Sequence, residues 1–169
     1  MITDEAIEIS LRTWYPPDHP LHYNPHHPLG KLCGEWGELL DDHMKSIYKP
    51  GYKANFLDEL GDIWYYIRIL CYQRDYQPIK LNLCNHMPES NLLPDELITM
   101  AIREVSSALL SFVRYDRYSP LALDVSYTVL LELLDRQHTT LGELTELNWQ
   151  KLQPGSEKDN EWVKARETA

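Results

Sequence analysis

Residues 34–42 read GEWGELLDD and place four acids and two glycines within nine positions of a helix-forming stretch. Glycine costs a helix interior about 1 kcal/mol relative to alanine, and carboxylates crowded onto one turn repel each other. The stretch is nevertheless helical. Leu29, Leu32, Cys33, Trp36, Leu39, Leu40, Met44 and Ile47 recur at helical spacing through and around it. The unfavourable residues therefore need a reason other than helix stability.

That reason is found one element further along. KPGYK, residues 49–53, breaks the helix through Pro50 and Gly51. Asn55 then stands as an N-cap for a second helix with the apolar stripe Phe56, Leu60, Ile63, Trp64, Ile67, Leu70 and Cys71. Glu35, Glu38, Asp42 and Lys45 share one face of the first helix, beside its apolar stripe. Asn55, Glu59, Asp62 and Tyr66 repeat the pattern on the second. Packed helices lie about 8–10 Å apart, so these carboxylates can meet. Two unit charges about 4 Å apart repel by about 4 kcal/mol at an effective dielectric of 20. Such a cluster makes sense around divalent cations, and oxygen-only donors suit Mg²⁺ or Mn²⁺ rather than zinc. Gly34, Gly37 and Gly61 flank the acids and would let a ligand or a neighbouring helix approach. A geometric difficulty accompanies this reading. With the first helix running to Ile47 and the second starting at Asn55, Glu38 lies about 14 Å from the turn and Glu59 about 6 Å. The first helix is expected to end early, or the connection to bow outward.

The remaining pattern is helical too. Residues 3–14 form a short amphipathic helix, followed by a loop of prolines and His19, His22, His26 and His27, read as the mouth of a pocket. Residues 76–93, with Pro78 and Pro88, read as a long loop. Pro94-Asp95-Glu96 opens a helix to about Tyr115, and Ser119-Pro120 opens another to about Arg136. Thr140 with Glu143 makes a capping box for a last helix. The expected fold is all-α, a bundle of about five to six helices built on a central acidic-faced pair. It spans residues 1–152, with a polar tail over 153–169. Other acid pairs have bland explanations: Glu132 and Asp135 read as a solvated face, and capping accounts for Glu143 beside Glu146. Ile98, Ile102, Val105, Leu109 and Phe112, with Leu121, Val125, Val129 and Leu133, exceed what a minimal hairpin needs and suit a homo-dimer or homo-tetramer.

Composition narrows the function. A formal net charge of −10 argues against sequence-independent nucleic-acid binding, which needs a basic surface. It leaves room for a small anionic ligand if a cation mediates. No window approaches a membrane span, and the N-terminal residues carry no secretion signal. Cys33, Cys71 and Cys84 form no CxxC pair, and Cys33 and Cys71 fall among apolar residues. A cytoplasmic location is the default expectation.

The stretch GEWGELLDDHMKSIYKPGYKANFLDELGDIWYYI resembles the all-α, MazG-like nucleoside triphosphate pyrophosphohydrolases, whose signature is ExxE on one helix and ExxD on the next. LGELTELNWQKL is similar to that family's closing helix, where an Asn and a Lys three residues apart recur, here Asn148 and Lys151. The resemblance covers residues 28–72 well and 139–152 moderately. It implies cleavage of an NTP or dNTP between the α- and β-phosphates, giving NMP and pyrophosphate. Glu35, Glu38, Glu59 and Asp62 would ligate Mg²⁺, with Mn²⁺ substituting. Glu35 or Glu38 would take the proton of the attacking water, and Glu35 is preferred. Lys45, Lys49 and Lys53 around the turn, with Lys151, are candidates for holding phosphates. Trp14, Tyr66 and Asn148 are candidates for holding the nucleoside, and a guanine base is no more than a guess. A dUTP or phosphoribosyl-ATP pyrophosphatase of the same superfamily is the alternative enzyme. A non-catalytic acidic bundle that binds a protein partner is the alternative class.

Overall fold

The computed structural model describes residues 4–83 and 91–153. Among them are the helices α1 (Asp4–Thr13), α2 (His26–Tyr48), α3 (Phe56–Arg74), α4 (Pro94–Tyr115), α5 (Leu121–Arg136) and α6 (Leu141–Lys151), and no strand. The expected all-α bundle is the observed one. Cys84, Pro88 and the tail from residue 154 lie outside the described residues.

α3 is the post around which the bundle is built. It packs against α1, α2, α5 and α6, while α4 covers α2 and α5. A helix surrounded in this way is buried on every side, and from Leu60 to Cys71 only Asp62 escapes full burial. The polar ends of its aromatic neighbours are satisfied internally. Trp64 Nε1 donates to Thr145 Oγ1 at 2.9 Å, and Trp36 Nε1 donates to Ser126 Oγ at 3.3 Å. These bonds fix α6 on α3 and α5 on α2 through buried indoles, which generally find a partner. α6 itself begins with the anticipated capping box: Glu143 N–H donates to Thr140 Oγ1, and Thr140 N–H donates to Glu143 Oε2.

The surplus apolar positions of α4 and α5 are largely absorbed within the chain. Ile98, Val105, Val125, Val129 and Leu133 are buried, whereas Ile102, Leu109 and Phe112 are partly buried and Leu121 is exposed. Glu132 also departs from expectation. It is mostly covered and pairs with Arg136, whose guanidinium also donates to Leu92 O, so it belongs to a packed corner rather than to a solvated face. No helix among the described residues is long and apolar enough to cross a membrane.

The α2–α3 connection resolves the stagger in an instructive way. α2 does not end early but continues to Tyr48. The chain turns at Lys49–Tyr52, with Gly51 at φ +79, a left-handed conformation that glycine adopts without strain. It then doubles back along the last turns of α2. Asp42 receives it, accepting hydrogen bonds from the Tyr52 hydroxyl and, at 3.1 Å, from Asn55 N–H. Asn55 occupies the N-cap position without capping through its own side chain; an acid from the neighbouring helix binds its backbone instead. α3 thus starts level with Asp42, not with the end of α2. Replacing Asp42 with alanine should lower stability by about 1 kcal/mol, the usual worth of a capping carboxylate. Urea unfolding followed by circular dichroism would measure it, and an unchanged midpoint would reduce Asp42 to an ordinary surface charge.

Candidate functional site

With Asp42 opposite Asn55, one antiparallel register places Glu38 opposite Glu59 and Glu35 opposite Asp62. Glu35, Glu38 and Glu59 converge, each offering a carboxylate oxygen within 4.8 Å of the others. Solvation is uneven across the three. Glu38 is exposed, while Glu35 and Glu59 are partly buried. Burial is the main cause that pushes the Glu35 carboxyl up to about 7, with the negative charges of Asp62, Glu38 and Glu59 adding to it. Glu59 rises to about 6, again chiefly by burial and then by Asp62 and Glu38.

Asp62, the fourth acid of the motif, points elsewhere. Its Oδ2 lies 2.7 Å from Lys151 Nζ, and the same ammonium lies 2.6 Å from Asp58 Oδ1. Lys151 is mostly buried between the two aspartates. It therefore ties α6 to α3 and offsets part of the charge next to the cluster. Of the other lysines, Lys45 pairs with Asp41 one turn earlier. Lys45 and Lys49 also sit 5.7 Å from the centre of the Tyr52 ring, and Lys53 is exposed on the same connection. These three surround the turn, as anticipated.

The three nucleoside candidates are not gathered into one place. Trp14 is buried, with its Nε1 donating to His22 O, so its indole is part of the scaffold. Tyr66 is buried edge-on to Tyr65, and burial, followed by the charges of Tyr65 and Glu35, raises its hydroxyl far above the ordinary value. Neither ring offers a free stacking face. Asn148, by contrast, lines a cavity of about 320 Å³ between α3 and α6 with Asn55, Leu57, Asp58, Gly61 and Lys151. A larger hollow of about 930 Å³ lies at Tyr23–His26 and Phe112–Asp116 and includes none of the clustered acids. The histidines read as one pocket-mouth loop act separately, and His26 and His27 belong to the first turn of α2. His22 is buried against Tyr15 and Tyr72, His19 stacks on Tyr15, and His26 stacks on Phe112.

The glycines divide as well. A Cβ at Gly34 or Gly37 would meet nothing within 4 Å, so no neighbouring helix requires glycine there. At Gly61 it would stand 3.4 Å from Asn148 Nδ2, in ordinary van der Waals contact with α6. Arg68 is the residue that periodicity did not single out. It is fully buried and donates to Ala6 O and to Asn148 Oδ1, each at 2.8 Å. An arginine inside the apolar run ELGDIWYYIRIL was its one visible signal.

The raised carboxyls have a consequence for stability. Both groups bind protons more tightly folded than unfolded, so their contribution to stability is full below about pH 4.5 and is lost as pH rises through about 7. For Glu35 the loss should be about 1–2 kcal/mol after allowing for solvent screening. Thermal melts of metal-free protein between pH 5 and 8 should show a falling midpoint, and Glu35→Gln should flatten that slope. A slope left unchanged by Glu35→Gln would contradict the crowded cluster. No family model, no curated protein and no solved structure matches this chain.

Proposed function

We propose that the chain is a divalent-metal-dependent hydrolase of nucleoside triphosphates that releases pyrophosphate. The observation that carries this reading is the convergence of Glu35, Glu38 and Glu59 from two antiparallel helices. Three carboxylates held together at a cost in repulsion form a site whose charge a cation would neutralise. Oxygens sharing one Mg²⁺ at 2.0–2.1 Å lie about 4 Å apart or less, so closing the present spacing takes only small side-chain movements. The donor set, all oxygen with neither His nor Cys, fits that cation or Mn²⁺. When bound, the cation neutralises phosphate oxygens and makes a coordinated water more acidic.

The chain's own residues then divide the work. Glu38 and Glu59, from opposite helices, hold the cation. Glu35, partly buried and with its carboxyl poised near neutrality, accepts the proton of the attacking water. Water attacks the α-phosphorus and the bond to the bridging oxygen breaks, leaving a nucleoside monophosphate and pyrophosphate. Cleavage at this bond follows from the resemblance of GEWGELLDD and ELGDIWYY to the pyrophosphohydrolase signature. Lys45, Lys49 and Lys53 stand on the exposed connection, where they can attract the phosphate tail.

The deciding assay incubates the protein with the common NTPs and dNTPs, dUTP and phosphoribosyl-ATP included, in Mg²⁺, and resolves pyrophosphate from orthophosphate. Pyrophosphate plus monophosphate is the expected outcome, and Glu35→Gln should lower turnover by about 100-fold or more. Mg²⁺ should also raise the melting midpoint of the wild type, because a ligand stabilises the state it binds, but not that of Glu59→Gln. Orthophosphate plus diphosphate would move the scissile bond. No turnover together with no metal-dependent shift would leave a non-catalytic acidic bundle.

A further inference from the structure

A further cavity, of about 520 Å³, opens at the end of α3 remote from the acidic cluster. Asp75 on its wall stands about 24 Å along the helix axis from Glu59. The cavity lies between α1, the first loop and the chain leaving α3. Tyr23, Tyr72, Tyr76, Glu8 and Asp75 are among the residues that line it, and none of the lining residues is basic.

The tyrosine hydroxyls are engaged within the protein. Tyr72 Oη lies 3.3 Å from His22 Nε2 and 3.4 Å from the Tyr23 hydroxyl. The Tyr76 hydroxyl donates to the Asp124 carboxylate at 2.8 Å. The rings of Tyr23 and Tyr72 lie nearly parallel, with centroids 6.2 Å apart. With these hydroxyls occupied, what Tyr72 and Tyr76 offer a ligand is chiefly ring surface, whose π face is electron-rich.

The charges around the cavity are of one sign. Glu8 and Asp75 are exposed, and neither has an ion-pair partner among the described residues. Arg12, Arg68 and Arg74, the basic residues of α1 and α3, are placed over the rings of Trp149, Trp64 and Tyr118 instead. α3 also ends here, with the N–H groups of Asp75 and Tyr76 closing onto Tyr72 O and Cys71 O. The negative end of the helix dipole therefore adds to the two carboxylates.

We propose that this cavity binds a small organic cation of the alkylammonium class. Aromatic rings attract such a cation through their faces, and carboxylates nearby offset its charge. A bare metal ion is a poorer fit, since Glu8 and Asp75 belong to no group of three donors close enough to hold one. An anion would meet only repulsion. The assignment stands apart from the function proposed above, because it uses none of the clustered glutamates and needs neither divalent metal nor turnover.

The test is an NMR titration of metal-free protein with tetramethylammonium and with 1,4-diaminobutane, reading the backbone amides of Asp75 and Tyr76. Potassium chloride at matched ionic strength is the control. A saturable shift with either ammonium but not with potassium supports the site. tert-Butanol, uncharged and of similar bulk to the quaternary ion, should bind about tenfold more weakly. Glu8→Gln with Asp75→Asn should weaken ammonium binding about fivefold. Asparagine tolerates the left-handed conformation that Asp75 adopts at φ 49, so that change leaves the turn intact. Tyr72→Leu should weaken binding about fivefold. Tyr23→Leu, at an exposed ring, tests the same contribution where folding is not at stake. No saturable shift with either ammonium, an equal response to tert-butanol, or undiminished affinity in the double acid variant would overturn the site. Undiminished affinity in both tyrosine variants would overturn the aromatic contribution.

Discussion

The contact between Asp42 and the returning chain sets the register on which everything else depends. A helical hairpin with a tight turn would have placed Glu38 and Glu59 on different levels, because one stands much further from the turn than the other. The chain avoids this by letting α2 overshoot and then retracing its last turns, with Gly51 making the reversal and Asp42 receiving Tyr52 and Asn55. Once Asn55 is fixed opposite Asp42, the helical repeat of each partner brings Glu59 to Glu38 and Asp62 to Glu35. A one-residue slip would rotate α3 by about 100° and scatter the cluster. Register is therefore a matter of two polar contacts in a connection that otherwise faces solvent.

α3 carries acids in two directions and neutralises them by different means. Asp58 and Asp62 share the ammonium of Lys151, whereas Glu59 faces Glu35 and Glu38 with no lysine between them. Had Lys151 reached Glu59 instead, the cluster would have been a salt bridge and nothing more. Its position on α6 depends on the capping box that starts that helix and on the Trp64–Thr145 bond that seats it. The closing helix thus divides the charge on α3 into a compensated half and an uncompensated half.

The helices, their order and most of their ends could be read from apolar spacing, from Pro94 and Pro120, and from the Thr140–Glu143 pair, since each of these acts within a turn or two of chain. The meeting of the acidic faces was also legible, because it follows from two patterns of the same period on consecutive helices. What could not be read was set by contacts distant in sequence. The overshoot of α2 depends on Asp42 meeting residues ten and thirteen positions away. The diversion of Asp62 depends on Lys151, eighty-nine positions on. Trp14 and Tyr66 resembled nucleobase platforms because an aromatic ring does not declare in sequence whether its face is covered. Gly34 and Gly37 looked like Gly61, yet only at Gly61 does another helix come within contact of an added Cβ.

Solvation is what turns three similar glutamates into a site with distinct parts. Glu38, exposed, keeps its hydration. Glu35, partly buried and facing the same neighbours, has lost much of that hydration, and its proton affinity rises toward neutrality. The cause is the fold: Glu35 lies deeper along α2, next to the buried Trp36 and opposite the fully packed middle of α3, while Glu38 lies one turn nearer the open end of the pair. Had both acids been equally wet, repulsion alone would have driven them apart. Had both been equally dry, both would have taken up protons and the cluster would have lost its charge. The tilt of the site from interior to solvent is therefore what sets a carboxylate drawn toward protonation and one that keeps its water within the same few ångströms.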